Sequence, residues 1–490
     1  MSSKSVTAEF FSSRWGVLFT TLGMAIGTGN IWRFPRVAAQ NGGGAFLIPW
    51  ILFLFTWSIP LLILEFGMGR AARRGTVGSF AGLAGKRYAW MGGFVGACTL
   101  AILFYYSVVT GWCLKYLLAS VGGGIWNAEP EAYWNGFAGS GGWEPILFHF
   151  LALAGGCWVI SRGVTRGIER VNRIIIPLLF LLLAATAVRA VTLPGASAGL
   201  RFLFVPDWSQ LGNYEVWLAA LSQSAWSTGA GWGLVLTYGV YLRRGDSLVG
   251  YSLATGLGNN VASLLAAMTI LPTVFSLLPA QEALAVMDSG NTGLMFVYLP
   301  GLFGQMPMGR VFLPVFFLAL SLAALSSLIS MIELGTRLLM DAGWSRRRGV
   351  LFVGGVAFLL GIPSALSLDF FENQDWVWGL GLLVSGFLFS MAVTLHGADR
   401  FREKYLLSEG ERWRVGRWFA WSMRYLIPVQ FAAMMVWWFS QAITRFDPDG
   451  WWNPLRPTSV GTCLLQWGLV IGVLLVFNRW LAARMAPNPD

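Results

Sequence analysis

The sequence predicts an all-α, polytopic membrane protein with twelve transmembrane helices. Hydrophobic residues make up 56% of the 490 positions and charged residues only 12%, about half the charge a soluble domain carries. Twelve apolar stretches are each near the ~20 residues needed to cross a bilayer. The first and sixth of them are interrupted by glycine clusters at mid-span, the pattern of a five-plus-five inverted repeat built around two broken helices. This composition excludes disorder, collagen, a coiled coil and a free cytosolic enzyme.

The stretches run near 15–37, 44–70, 91–120, 145–161, 168–191, 215–242, 249–278, 309–340, 349–366, 376–397, 417–443 and 459–484. They are read as one transporter-like domain over 1–490, with repeats at 15–191 and 215–397 and two further helices at 417–484. The opening MSSKSVTAEFFSSR is polar, so no cleavable signal peptide is expected. About 25 of the 34 basic residues fall on one side: before the first stretch, in the even-numbered connections and the stretch ends beside them, and at the end of the last stretch. The opposite connections 121–144 and 367–375 hold acids and neither Lys nor Arg. A basic excess on one side marks the cytoplasmic face, so both termini are expected in the cytoplasm of a cell inner (plasma) membrane. The net charge of +11 is then a topology signal, with the lipid bilayer as partner and no nucleic acid. Cys98, Cys113, Cys157 and Cys463 lie in apolar stretches without CxxC spacing, and two histidines do not make a metal site.

The first interruption is Gly23-Met24-Ala25-Ile26-Gly27-Thr28-Gly29-Asn30, and the second runs from Gln223 to Gly233 with Gly229, Gly231 and Gly233. Each interior glycine costs a helix about 1 kcal/mol relative to alanine, so a dense cluster invites unwinding. Unwound backbone at membrane depth is tolerated only where it lines a cavity or meets a ligand. Free N–H groups at one half-helix suit a carboxylate, and free carbonyls at the other suit a hard monovalent cation. Asn30, Ser227, Asn259 and the Ser326-Ser327 pair are the side chains able to complete such a site, although a Ser pair also back-bonds to its own helix.

At these residues the sequence resembles the neurotransmitter:sodium symporters, carriers of the leucine-transporter fold. The run GTGNIWRFPRVAAQNGGGAFLIPW, ILEFGMGR (63–70), FYYSVVTGW (104–112), the 223–233 segment with TYGVYLRR, LMFVYLPGLFGQMP (294–307), AALSSLISM (323–331) and GADRF (397–401) carry the likeness. The resemblance implies sodium-coupled uptake of an amino acid by alternating access, with two sodium sites. One would use the Ala25 carbonyl with Asn30, Ser227, Asn259 and the substrate carboxylate. The other would use the carbonyls of Gly23, Ile26 and Ala323 with the hydroxyls of Ser326 and Ser327. The carboxylate would lie on the amides of Gly27, Thr28 and Gly29 beneath the Tyr106 hydroxyl. The amino group would face carbonyls of Ala25, Trp226 and Ser227.

Amine-selective relatives carry Asp where this chain has Gly27, so the substrate is expected to bring its own carboxylate. Ile102, Trp226, Gly229, Trp232, Ser327 and Met331 would surround its side chain. Trp232 fills space and favours a glycine- or alanine-like substrate, whereas Gly229 frees space for a larger hydrophobic or aromatic one. Arg33 would close the outer gate with an acid of the tenth helix. Leu368-Asp369-Phe370 matches that motif best, and Asp375 is the alternative. Tyr241 and Asp341 occupy inner-gate positions, but the family's Arg and Trp ahead of the first helix are Ala8 and Phe11. Lys4 or Arg14 substitutes, or the closure is held differently. For chloride, Trp50 replaces the family's Tyr while Gln223, Ser227 and Ser263 remain compatible, which leaves a chloride requirement and a proton-bearing group as open alternatives.

A transporter-shaped receptor without net flux is the second reading. An intramembrane enzyme is disfavoured because no paired carboxylates, Cys–His couple or HExxH lie at spanning depth. Glu65 and Glu333 occur there singly, and Glu65 reads as a buried hydrogen-bond acceptor. A monomer or weak homodimer is expected.

Overall fold

The computed structural model describes residues 9–407, 411 and 413–486. Lys4 and Ala8 lie outside the described residues. Nine helices among those described are long and apolar enough to cross a membrane: Gly44–Ala72, Lys86–Gly122, Trp143–Ser161, Val164–Val191, Leu248–Leu277, Gly309–Asp341, Arg346–Leu366, Leu368–His396 and Trp418–Phe446. A tenth is the pair Val460–Val476 and Asn478–Met485, bent by 63°. The first and sixth expected stretches fall outside that set because each is broken. Arg14–Ala25 is followed by a π-helical turn at Gly29–Arg33 and then Phe34–Gln40. Tyr214–Ser227 is followed, after six residues, by Leu234–Gly239. Below, the spans are numbered in chain order, with these two as the first and sixth. Among the described residues the β-type pairing is one isolated bridge, Gly43 with Pro206.

Burial separates an inner group from an outer shell. The best window of the third span is 83% buried, and those of the eighth and tenth are each 78% buried, against 39% for the fifth and 33% for the eleventh. The outer helices present Leu181, Val188, Leu351, Leu359, Val436 and Leu469 outward. Such apolar exposure is stable against lipid and not against water.

Both breaks follow from local chemistry. Ile26, at the end of the first half-helix, is extended with φ −83° and ψ 98°. In the sixth span Gly229, Gly231 and Gly233 adopt φ of +72°, +87° and +77°, a left-handed conformation that side chains with a Cβ rarely accept. The peptide groups freed there are met from neighbouring helices. Glu65 of the second span, fully buried, accepts from the amides of Gly231 at 2.5 Å and Leu236 at 3.1 Å. The Thr99 hydroxyl of the third span donates to the Trp232 carbonyl at 2.6 Å. Glu65 is thus a buried acceptor, capping the N-terminus of the second half-helix where negative charge is favoured.

Candidate functional site

The first break faces the third, sixth, eighth and tenth spans, and between them lies a cavity of about 90 Å³. Ala25, Gly27, Thr28, Gly29, Asn30, Ile102, Tyr106, Trp226, Ser227, Gly229, Trp232, Ser327 and Met331 all line it. The residues expected around a substrate from sequence therefore share one hollow.

A helix ends with four carbonyls lacking intrahelical partners, and in the first half-helix three of these converge on one hydroxyl. Ser327 Oγ lies 3.4 Å from the Gly23 carbonyl, 3.3 Å from that of Met24 and 3.4 Å from that of Ile26. Met24 was not among the residues expected from sequence. Ser326 does what a membrane serine ordinarily does, donating to its own helix at the Ala323 carbonyl, 2.9 Å away. The pair therefore divides: one hydroxyl bonds back, the other reaches across to the break.

A second oxygen-rich cluster gathers at the Ala25 carbonyl. The Asn259 side-chain amide lies 3.1 Å from the Ala25 carbonyl oxygen and 2.9 Å from the Ser227 carbonyl oxygen. With its nitrogen turned that way the amide donates to both. With its oxygen turned that way three oxygens meet with no proton between them, an arrangement that a hard cation satisfies. In that orientation Asn30 Nδ2 donates to Asn259 Oδ1 at 2.7 Å, and it donates to Ser263 Oγ at 2.8 Å. Asn30 Oδ1 accepts from the Gly27 amide at 2.9 Å.

The opposite lip of the break carries amides. The Thr28 amide donates to the Tyr106 hydroxyl at 3.1 Å, so the tyrosine oxygen lies where an anionic oxygen would be attracted. The Gly27 amide, expected from sequence to face a carboxylate, is instead engaged by Asn30. A Cβ at Gly27 would lie 2.9 Å from both Ser327 Oγ and Tyr106 Oη, so a larger side chain there would displace both hydroxyls. A Cβ at Gly229 would lie 2.7 Å from Met24 Sδ; methionine fills the space that this glycine was expected to free. Gln223 is fully buried, and among the described residues neither its amide oxygen nor its nitrogen has a hydrogen-bond partner. The same holds for the indole nitrogen of buried Trp50.

Above the cavity is a vestibule of about 600 Å³, and Arg33, Trp226, Asn291 and Asp375 line both spaces. The Arg33 guanidinium stacks 3.9 Å from the centroid of the Trp226 indole. The structure corrects the acid expected from sequence. Asp375, not Asp369, shares the cavity with Arg33, while Asp369 is exposed in the first turn of Leu368–His396. The motif match misled because the two acids are six residues apart on one helix, and only Asp375 is far enough along it to reach the break.

At the arginine-rich end the inner-gate expectation also changes. Tyr241 donates to Glu333 Oε1 at 2.5 Å. Arg346 bonds Glu333 at 2.6 Å and 3.0 Å and also pairs with Glu9. Asp341 is held elsewhere, by Arg337 at 2.6 Å, by the Gly75 amide at 2.5 Å and by Arg74 at 3.8 Å. Arg14 is exposed. Phe11 packs edge-on against Tyr238 and Tyr241. The segment before the first span is further tied down by Glu169, which accepts from the Ser12 amide at 2.8 Å and hydroxyl at 2.6 Å. Glu9, Glu169 and Arg346 were missed from sequence because charges near a membrane boundary read as topology until a structure pairs them.

Known proteins resemble this chain over most of its length. The model of the sodium:neurotransmitter symporter family matches residues 8–138 and 135–484. An uncharacterized sodium-dependent transporter of Methanocaldococcus jannaschii is 34% identical over 81% of this chain and 83% of its own length. One from Bacillus subtilis is 32% identical over 77% of this chain and 85% of its own. The crystal structure of MhsT in complex with L-phenylalanine superposes with a TM-score of 0.77 at 33% identity, covering 87% of this chain and 99% of that one. The chain belongs to the sodium:neurotransmitter symporter family, and it is a multi-pass, sodium-dependent membrane transporter.

Proposed function

We propose that this protein is a symporter that couples sodium to the uptake of an amino acid with a small side chain, by alternating access. The observation that carries the reading is the pair of oxygen clusters at the first break: Gly23, Met24 and Ile26 carbonyls around Ser327, and the Asn259 amide beside the Ala25 and Ser227 carbonyls. Sodium would occupy both, with Asn30 and Ala323 completing them and the substrate carboxylate joining the second. The carboxylate would displace the Tyr106 hydroxyl from the Thr28 amide and extend over Gly29. Joint binding then stabilises one state over another, which is how ligands move a conformational equilibrium. A tenfold sodium gradient with 100 mV across the membrane is worth about 3.7 kcal/mol per ion, enough for accumulation of several hundredfold.

Two features support a small side chain: the Trp232 indole in the pocket and Met24 in the space beside Gly229. A larger hydrophobic or aromatic substrate is the second reading, favoured by the phenylalanine held by MhsT. Gln223, Ser227 and Ser263 with the Trp50 indole N–H would form an anion site next to Asn30. We place the repeats at 15–191 and 215–397, with both termini cytoplasmic. Uptake of labelled glycine, L-alanine, L-leucine and L-phenylalanine into proteoliposomes, with Na⁺ or K⁺ outside, tests the reading. Uptake of one or more only with Na⁺ is expected. Equal rates in the two salts remove sodium coupling, and sodium-dependent binding without accumulation makes the protein a receptor.

A further inference from the structure

Gly379 lies in the middle of the tenth span, in regular helix and buried. Its backbone needs no glycine, and a glycine weakens a helix relative to alanine. The reason for it is a neighbour. A Cβ built there would lie 2.1 Å from Cη2, 2.6 Å from Cζ2 and 3.0 Å from Cζ3 of Trp226. These are the outer atoms of the six-membered ring, and a separation of 2.1 Å between carbons is impossible without moving one of them. The indole therefore occupies volume that every other residue at position 379 would claim.

The Arg33 guanidinium covers the same indole at 3.9 Å. Asp375 stands four residues before Gly379, hence on the same face of the helix, and both line the cavity with Arg33 and Trp226. One face of the tenth span thus offers a carboxylate toward the guanidinium and, a turn later, a notch for the ring beneath it. Trp226 lines both the cavity and the vestibule, so where its ring rests determines whether the two spaces are separated.

We propose that Gly379 is a positioning residue, the seat that lets a tryptophan, rather than a smaller aromatic ring, serve as the lid of the binding cavity. The proposal rests on the transporter reading and deepens it. With the seat filled, the indole is held away from the tenth span, Arg33 loses its stacking surface and bound substrate escapes to the vestibule.

The test uses full-length protein with Gly379→Ala, Trp226→Phe and the double variant, reading initial uptake in proteoliposomes. It also reads the dissociation rate of labelled L-alanine, or L-phenylalanine if uptake selects it, from purified protein in Na⁺. Gly379→Ala should lower uptake at least tenfold and speed dissociation by a similar factor. Phenylalanine lacks the outer reach of the indole, so the double variant should dissociate substrate more slowly than Gly379→Ala and recover uptake toward that of Trp226→Phe. Wild-type behaviour of Gly379→Ala overturns the proposal. So does a double variant no better than Gly379→Ala in both readings, including the case where neither folds. Failure of the wild type to take up or bind any of the four amino acids would instead strike the transporter reading.

Discussion

The two ends of the pathway are closed by different forces. At the vestibule end the closure is a flat cation on an aromatic face, Arg33 over Trp226, with Asp375 alongside and about 600 Å³ of open space above. At the arginine-rich end it is a mesh of charge: Arg346 bridges Glu333 and Glu9, Tyr241 joins Glu333, and Glu169 holds Ser12. A stacked cation releases with little penalty because both partners can be rehydrated from the vestibule. A buried carboxylate such as Glu333 is costly to strip of its partners. The protein is thus held shut firmly on the charged side and lightly on the vestibule side.

The largest expected effect comes from breaking the firm side. Arg346→Ala would leave Glu333, which is fully buried, without its cation, and removing one partner of a buried pair costs about 3–5 kcal/mol. A lowered thermal midpoint is expected, together with faster cysteine labelling at a position introduced in the segment before the first span. Unchanged values would mean that the mesh holds nothing. Next is Arg33→Ala. Cation–π contacts in partly desolvated sites contribute about 1–2 kcal/mol, so bound substrate should dissociate roughly five- to thirtyfold faster while the thermal midpoint stays near wild type.

The choice of acid sharpens the same side. Asp375→Asn should reduce uptake severalfold, and Asp369→Asn, at an exposed position, should match the wild type. The reverse outcome would restore the motif-based assignment. Smallest is Glu9→Gln. The Glu9 side chain is 35% exposed, and exposed ion pairs contribute about 0–1 kcal/mol. Its effect on uptake should stay within a few-fold, and a loss as large as that from Arg346→Ala would shift the anchoring role from Glu333 to Glu9.

Much of the site was legible because it depends on backbone that cannot remain helical. Gly23 to Asn30 and Gly229 to Gly233 announce their breaks through composition, and Ser327, Asn259 and Tyr106 all lie against the first of them. The partners of single charges were not legible. Asp369 and Asp375 differ by fewer than two helical turns, and only the depth of the tenth span distinguishes them. Asp341 reads as an inner-gate acid until Arg337, one turn away on its own helix, is seen to occupy it. Met24 is an ordinary apolar residue in sequence, yet its carbonyl faces Ser327 and its sulfur fills the space beside Gly229.

By itself the sequence determined the membrane class, the spans and the two places where a helix must come apart. Those follow from local quantities: apolar length, basic residues at helix ends and the cost of glycine in a helix. Tertiary structure alone decided which oxygen meets which amide, which acid faces Arg33 and which glycine receives the lid. Such pairings join residues far apart along the chain, and an ångström of depth or a few degrees of rotation about a helix axis exchanges one partner for another without changing any local pattern.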